Sequence, residues 1–264
     1  MMARMTRSKQ FAVLACLTFA LQAACARKEP RPEDKAHPAP APKRSLAAVW
    51  SGSPNPPMEP AAPMTPAGQA LFDAAKPIWG PRSVSVGESN DPLVSCDPLG
   101  FPRNVVHETR GMEFVHAPEK TIQLMQYQRV YREIWTDGRP LPTDVGGTDP
   151  QSPDPRRYGY SVGRWVDDYT FVVDTVGASD TSWGDEYGHP HSLSGRVEER
   201  YHRIDNDTME IVVTINDPEM YQQPFVAMKQ VLKRGTKPLD EQLCIPSDAQ
   251  NYLEVVGRRV SGAK

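Results

Sequence analysis

The sequence lacks the motifs that mark the common catalytic folds. It contains no glycine-rich phosphate loop, no G-x-S-x-G nucleophile turn and no closely spaced cysteine pair of the zinc type. Basic residues are not in excess, because 30 Lys and Arg stand against 33 Asp and Glu, for a net charge of -3 at pH 7. A nucleic-acid partner is therefore not expected, since phosphate backbones are bound by basic surfaces. These patterns identify no cofactor.

A long apolar run is also missing, and a short one lies near the N-terminus. It covers 11 residues, Phe11 to Leu21, and three basic residues precede it. This length suits the core of a signal peptide better than a membrane-spanning helix. The following LQAAC resembles a bacterial lipoprotein signal, in which Cys25 carries the lipid after cleavage. Residues 1–25 are therefore predicted to be a lipoprotein-type signal peptide, with ordinary secretion after cleavage near Ala24 or Ala26 as the alternative.

Proline is abundant and unevenly distributed. Of the 27 prolines in the chain, 11 lie between residues 30 and 66. Such a composition does not build a core and favours extended conformers. Residues 26–64 are therefore predicted to be a disordered tether in front of a single β-rich domain at 65–259. Thr65 and Pro66 fit the N-cap and the first position of a short N-terminal helix.

From residue 121 onwards, short β-type runs alternate with turn residues. Seven runs are recognised, with an eighth candidate at 241–245: 121–127, 130–136, 158–166, 170–176, 196–204, 208–216 and 225–233. Successive hairpins predict an all-β fold, an antiparallel meander of about seven or eight strands. A barrel or a strongly curved sheet would remove exposed edges, and a β-sandwich is the alternative. Residues 247–259 are a candidate for a short C-terminal helix.

Three charged residues occupy strand positions whose neighbours look inward. Side chains two apart in a strand share a face, which places Arg132, Asp174 and Glu199 on rows with apolar residues. Buried charges are costly unless they are paired. The three residues therefore form either a salt-bridge network or a polar ligand-binding pocket. In the strand of Arg132, the opposite parity would place Glu133 inward instead.

The sharpest local motif is His189-Pro190-His191. A residue before proline is biased towards extended geometry, so His189 and His191 tend to share one side and could bind one divalent metal ion. The alternative is a turn whose imidazoles bond to the backbone or stack on Trp183. Trp183 and His191 are also included in the candidate pocket. A carboxylate would complete a metal site, and the candidates are Asp174, Asp180, Asp185 and Glu199.

Two of the four cysteines remain after the signal is removed and Cys25 is lipidated or lost. An even pair in an oxidising compartment commonly forms a disulfide, which predicts a bond between Cys96 and Cys244. Two buried free thiols are the alternative, because a free cysteine behaves as a small apolar residue.

Several phrases of the sequence, in this order, resemble an uncharacterised family of exported bacterial proteins. They are CDPLGFPR, REIWTDGRPLP, YGYSVGRW, FVVDTVG, GHPHS, VEERY, VTINDPEMY and QPF. The resemblance covers about residues 64 to 250. It implies export and a single domain, and it carries no activity that transfers to this chain.

Three functional hypotheses follow from these observations. The first is an exported, lipid-anchored protein of the bacterial cell envelope that binds a small ligand in a β-barrel or cleft. The second is a metal-dependent hydrolase that uses His189 and His191. The third is an envelope scaffold or assembly protein without a small-molecule site. A polar pocket around Arg132, Asp174 and Glu199 would separate the first two from the third.

Overall fold

The structure is a computed structural model that describes residues 38–52, 60–106 and 111–257. The predicted signal peptide at 1–25, including Cys25, lies outside these residues. Contacts between Cα atoms group Pro38–Lys264 into one unit, so the folded part begins well before residue 65. Among the described residues, no helix has both the length and the apolar character needed to cross a membrane.

Nine strands form a closed barrel in which sequence neighbours are also spatial neighbours. The strands are β1 (Ala48–Ser51), β2 (Met112–His116), β3 (Lys120–Met125), β4 (Tyr131–Trp135), β5 (Tyr160–Trp165), β6 (Thr170–Val176), β7 (Arg196–Arg203), β8 (Thr208–Asn216) and β9 (Phe225–Arg234). The predicted all-β barrel is confirmed, and the sandwich alternative is wrong. Closure leaves no long unpaired edge, because β1 pairs with β9.

One junction of the barrel is parallel, which corrects the prediction of a purely antiparallel meander. A closed ring with an odd number of strands cannot alternate direction at every junction. Here β4 and β5 run parallel, and the other eight junctions are antiparallel. A parallel pair needs a connection of roughly a dozen residues or more, and the long loop between Trp135 and Tyr160 supplies it.

The first strand lies inside the segment predicted to be a disordered tether. β1 pairs with β2 on one side and with β9 on the other. Leu46 and Trp50 are fully buried, and the indole N–H of Trp50 donates to the Leu46 carbonyl at 2.8 Å. The prediction for residues 26–64 is therefore wrong for this part, because an aromatic and several aliphatic residues between the prolines suffice for one short core strand.

Helices are few and short. α1 (Pro66–Ala74) begins as predicted, with the Thr65 hydroxyl accepting from the Gly68 amide at 3.1 Å. The other elements are two 3₁₀ turns, α2, α3 and a final π turn: Val86–Glu88, Pro92–Ser95, Arg103–Val106, Pro246–Tyr252 and Leu253–Gly257. The candidate strand at 241–245 does not form, since Gln242 makes only an isolated bridge with Tyr127.

Side chains fill the inside of the barrel. The row predicted to face inward on β8 is buried, and it packs with apolar residues of the other strands and of α2: Met209, Ile211, Val213, Ile215, Phe114, Phe171, Val173, Val105 and Met228. A cavity beside Met112, Met125 and Asn104 measures about 10 Å³, which is room for about one water molecule. Ligand-sized spaces therefore occur as clefts on the outside of the barrel.

The predicted disulfide is present. Cys96 and Cys244 are bonded, with their Cα atoms 5.4 Å apart. Cys96 follows the Pro92–Ser95 turn, and Cys244 precedes α3. The bond therefore joins the segment between β1 and β2 to the segment that follows β9.

Candidate functional site

A buried ion pair crosses the lumen between Arg132 of β4 and Glu199 of β7. The guanidinium donates two hydrogen bonds to the carboxylate, each 2.8 Å long. These strands are not neighbours in the barrel, so a contact between them spans its interior. Gln123 of β3 accepts from the same guanidinium at 2.6 Å, and the Tyr201 hydroxyl donates to Glu199 at 2.5 Å. Of the three charged residues considered together from the sequence, Arg132 and Glu199 form an ion pair inside the barrel.

Burial governs the protonation of this network. Removal from water disfavours the charged form of Arg132, but the charge of Glu199 outweighs this effect and raises the pKa of the guanidinium. Burial, followed by the nearby charge of Glu199, raises the pKa of the Tyr201 phenol well above its ordinary value. Arg132 therefore stays charged and Tyr201 stays neutral. The pair is a bidentate, fully bonded structural element.

Asp174 does not join this pair. It lies on the outer face of β6, where Arg164 and Arg196 of the flanking strands donate to it at 2.7 and 2.8 Å. Burial opposes ionisation of Asp174, but the hydrogen bonds from the two arginines lower its pKa overall. The neighbouring position, Val172, is fully buried although it also faces outward, so burial alone does not separate the two faces of β6.

His189 lies in the loop between β6 and β7, where Asp185 fixes its position. Its Nδ1 lies 2.5 Å from Asp185 Oδ2, and its backbone amide donates to the other carboxylate oxygen. Its ring stacks on Phe72 of α1, with 4.8 Å between centroids. His189 therefore holds α1 against the loop.

His191 faces a different space. It is 7% exposed, and its Nε2 lies 3.4 Å from the Ser182 hydroxyl. Burial lowers the pKa of His191, against the opposing charges of Asp217 and Asp180, which favours the neutral imidazole. His191, Ser182 and Trp183 line a cleft of about 220 Å³ beside α1. The prediction placed Trp183 and His191 with Arg132, whereas the structure gives them a separate cleft.

The two histidines do not form the metal site considered from the sequence. Each binds its own partner, Asp185 for His189 and Ser182 for His191. Within residues 38–52, 60–106 and 111–257, no group of three or more His, Cys, Asp or Glu side chains is placed to hold a metal ion. Proline makes the motif locally extended but does not determine where the two rings point.

A groove opens in the barrel wall at the parallel junction. β4 and β5 pair only at Ile134 with Ser161 and at Trp135 with Val162, so the first residues of the two strands diverge. The space between them, called the wall groove below, measures about 240 Å³. Its lining contains three arginines and four large aromatic residues: Arg132, Arg156, Arg157, Tyr131, Trp135, Tyr158 and Tyr160, with Glu133, Gly159 and Ser161.

Arg132 connects the wall groove to the interior. Arg132 is one of the residues that line the groove, and its side chain holds Glu199 inside the barrel. Behind it, the Arg132 guanidinium lies 4.7 Å above the ring of Phe101. The floor of the groove is therefore held in place by the lumen network.

Sequence reasoning missed Arg156 and Arg157. They follow a loop of Pro, Gly and Asp residues that has no core-forming pattern, and they directly precede the aromatic start of β5. The signal that could have found them is the run RRYGY, two basic residues interleaved with aromatics at a strand end. This run lines a groove only because β4 lies beside β5, and the sequence did not indicate that pairing.

No family model, no curated protein and no solved structure matches this chain.

Proposed function

We propose that this protein is an exported, lipid-anchored binding protein of the bacterial envelope that holds a small ligand in the wall groove. One observation carries the proposal: the barrel wall parts between β4 and β5, and a preformed groove of about 240 Å³ lies in the gap. Ligand sites are concave, mostly preformed and lined by aromatic residues with a few polar groups. The filled lumen favours this groove over the inside of the barrel.

The residues of the groove supply both kinds of contact. Tyr131 is 63% exposed, so its ring is open to contact by a ligand. Its ring offers a flat surface for stacking, and Arg156 and Arg157, just before β5, offer hydrogen-bond donors. The buried pair of Arg132 with Glu199 keeps the floor rigid, which lowers the entropy cost of binding.

The envelope location rests on three observations. The apolar run before Cys25 has the length of a signal peptide, and LQAAC resembles a lipoprotein signal. The disulfide between Cys96 and Cys244 is typical of an oxidising compartment. The resemblance to exported bacterial proteins agrees with both. Intact-mass analysis of protein extracted from membranes should show the lipid on Cys25, and a Cys25→Ser protein that still partitions to the membrane would contradict the anchor.

Native mass spectrometry of the full mature protein, extracted in mild detergent, tests the ligand. We expect a bound small molecule in the wild type and a several-fold lower occupancy in Tyr131→Ala, because an aromatic contact contributes about 0.5–1.5 kcal/mol. Tyr252→Ala is the matched control, since Tyr252 is 51% exposed on α3, outside the groove lining. An empty wild-type protein, or equal occupancy in both variants, would contradict the wall groove as the binding site.

A further inference from the structure

The wall groove has more positive charge than its own carboxylates neutralise. Arg132 is neutralised by Glu199, inside the barrel. Glu133, the carboxylate in the groove lining, forms its ion pair with Lys120 of β3. The positive charge that remains in the groove is therefore that of the Arg156 and Arg157 guanidinium groups.

Arg157 has only a weak, solvent-exposed ion pair. Its Nη2 atom lies 3.7 Å from Asp97 Oδ2, which exceeds hydrogen-bonding distance, and the side chains are 36% and 50% exposed. An exposed pair of this kind is screened by water and contributes little. Asp97 therefore offsets the charge of Arg157 only in part, and Arg157 still contributes positive charge to the groove.

Arg156, unlike Arg157, has no counter-charge among the described residues. In the described ranges, no carboxylate lies within ion-pair distance of it, and its guanidinium packs 4.2 Å from the ring centroid of Tyr160. Stacking on an aromatic face orients the planar guanidinium and leaves its edge free to donate two parallel hydrogen bonds. Arg156 and Arg157 are adjacent in the chain at one rim of the groove, and Tyr131 belongs to the other rim.

We propose that the ligand of the wall groove is a small organic anion, a carboxylate or phosphate group attached to a planar ring. This inference rests on the function proposed above and adds the chemical class of the ligand. The oxyanion accepts from the edge of the Arg156 guanidinium, in the geometry that guanidinium groups match best, and Arg157 adds a second positive charge to the groove. The ring packs against the exposed face of Tyr131. Inorganic phosphate alone lacks the ring and binds more weakly than a ring-bearing anion.

Isothermal titration of the full mature protein with four probes tests the class. Phenyl phosphate and benzoate represent the two anionic groups, benzyl alcohol is the uncharged analogue, and inorganic phosphate lacks the ring. We expect at least one ring-bearing anion to bind, more tightly than the alcohol and inorganic phosphate, and to weaken as salt rises from about 50 to about 500 mM. Which of the two anions binds better distinguishes a phosphate from a carboxylate ligand.

Arginine variants locate the binding. Arg156→Gln should weaken the anion about tenfold or more, because hydrogen bonds to charged groups contribute more than neutral ones. Arg157→Gln should act in the same direction with a smaller effect, and Arg200→Gln, an exposed arginine on β7, should stay within about twofold of the wild type. Failure of both ring-bearing anions to bind, or unchanged binding in Arg156→Gln, overturns the inference.

The two proposals fail separately. If native mass spectrometry finds a molecule whose occupancy depends on Tyr131 while both anions fail to bind, the groove function stands and the anionic class is wrong. If benzyl alcohol binds as tightly as the anions, the class is equally wrong. If the wild type carries no molecule and binds no probe, both proposals are wrong.

Discussion

At the scale of single residues, Arg132 and Glu199 connect the interior of the barrel to its surface. Both charges are almost completely buried, and each is satisfied by the other and by neighbouring polar groups. Such a pair adds little net stability over well-packed apolar residues, but losing one member leaves an unpaired buried charge. Its contribution is to specify where Arg132 lies, and therefore the shape of the wall groove.

Glu199→Gln should lower the free energy of unfolding by about 3–5 kcal/mol, because Arg132 stays charged without its counter-ion. The double variant Arg132→Met/Glu199→Leu should be less destabilised than Glu199→Gln, since no buried charge remains. Urea unfolding of the disulfide-intact protein measures both. Asp168→Asn serves as the control, because Asp168 pairs with Lys43 on the surface and its loss should leave stability close to that of the wild type. A Glu199→Gln protein as stable as this control would contradict the argument.

The hydrogen bonds of His116 require a neutral imidazole, so this residue makes the stability of the protein depend on pH. Its Nε2 accepts from the Leu46 amide at 2.9 Å, and its Nδ1 lies 2.8 Å from the Thr121 hydroxyl. An amide only donates, so Nε2 must be unprotonated, and the ring proton is on Nδ1. Burial lowers the pKa of His116 below its ordinary value. Protonation of Nε2 would place its N–H against the N–H of Leu46, just before β1.

The lowered pKa of His116 predicts acid destabilisation. The unfolded chain takes up a proton near the ordinary pKa of about 6.5, while the folded chain resists it, so this stability is complete above that pH and lost as pH falls through the folded pKa. Melting temperatures measured from about pH 7.5 to about pH 5 should fall less steeply in His116→Gln than in the wild type. His191→Gln should also reduce the slope, because burial lowers the pKa of His191. An unchanged slope in His116→Gln would refute the assignment.

At the scale of elements, β1 determines whether the barrel closes. It is four residues long, yet it supplies the hydrogen-bond partners of both β2 and β9. Its anchor is Trp50, which is fully buried and hydrogen-bonded to the Leu46 carbonyl. The guanidinium of Arg203 packs 4.6 Å above the Trp50 ring and donates to the Ser45 carbonyl at 2.9 Å, which attaches the segment before β1 to β7.

Trp50→Ala should cost about 3–5 kcal/mol of stability, because a large buried side chain is lost and a cavity remains. Trp79→Ala is a matched control, since Trp79 is 51% exposed and a surface substitution changes stability by about 0.5 kcal/mol or less. Chemical unfolding curves of the two variants provide the comparison. Similar stabilities would mean that β1 contributes little to closure.

At the scale of the whole molecule, the disulfide closes a separation of 148 residues around the barrel. The turn between β3 and β4 lies between its two arms. The Gln128 amide donates to the Gln242 carbonyl at 2.7 Å, and the Gln128 side chain donates to the Cys96 carbonyl at 3.2 Å. The segments on both sides of the disulfide, one between β1 and β2 and one after β9, therefore contact the same turn.

Mature protein taken directly from the envelope should show no titratable thiol when denatured without reductant. Reduction, or the double variant Cys96→Ser/Cys244→Ser, should lower the melting temperature, because the chain-entropy model gives at most about 4–5 kcal/mol for a loop of this length. Two titratable thiols in unreduced wild-type protein would contradict the bond. An unchanged melting temperature after reduction would show that the ends are held by other contacts.

The parts of the structure that depend on local interactions could be predicted from the sequence. The alternating row on β8, the Thr65 cap of α1 and the hairpins from β5 to β9 depend on residues close in sequence, and each formed as predicted. The predicted signal peptide would take Cys16 and Cys25 out of the count of free thiols, so the bond between the remaining two cysteines was predicted from the count alone. Strand parity placed Glu199 on an inward row and left Arg132 or Glu133 as the inward residue of its strand; Glu199 and Arg132 are the buried ones.

Only the tertiary structure decided the rest, because it depends on partners far apart in the chain. β1 lies within a proline-rich segment and becomes a strand only when β2 and β9 offer hydrogen bonds on both sides. Asp174 was misplaced because the first six residues of β6 are all buried, which erases the period-two signal. The parallel junction follows from closing nine strands, and the wall groove exists only where that junction diverges. Local patterns indicate on which face of a strand a residue lies, whereas the pairing of distant segments determines what that face contacts.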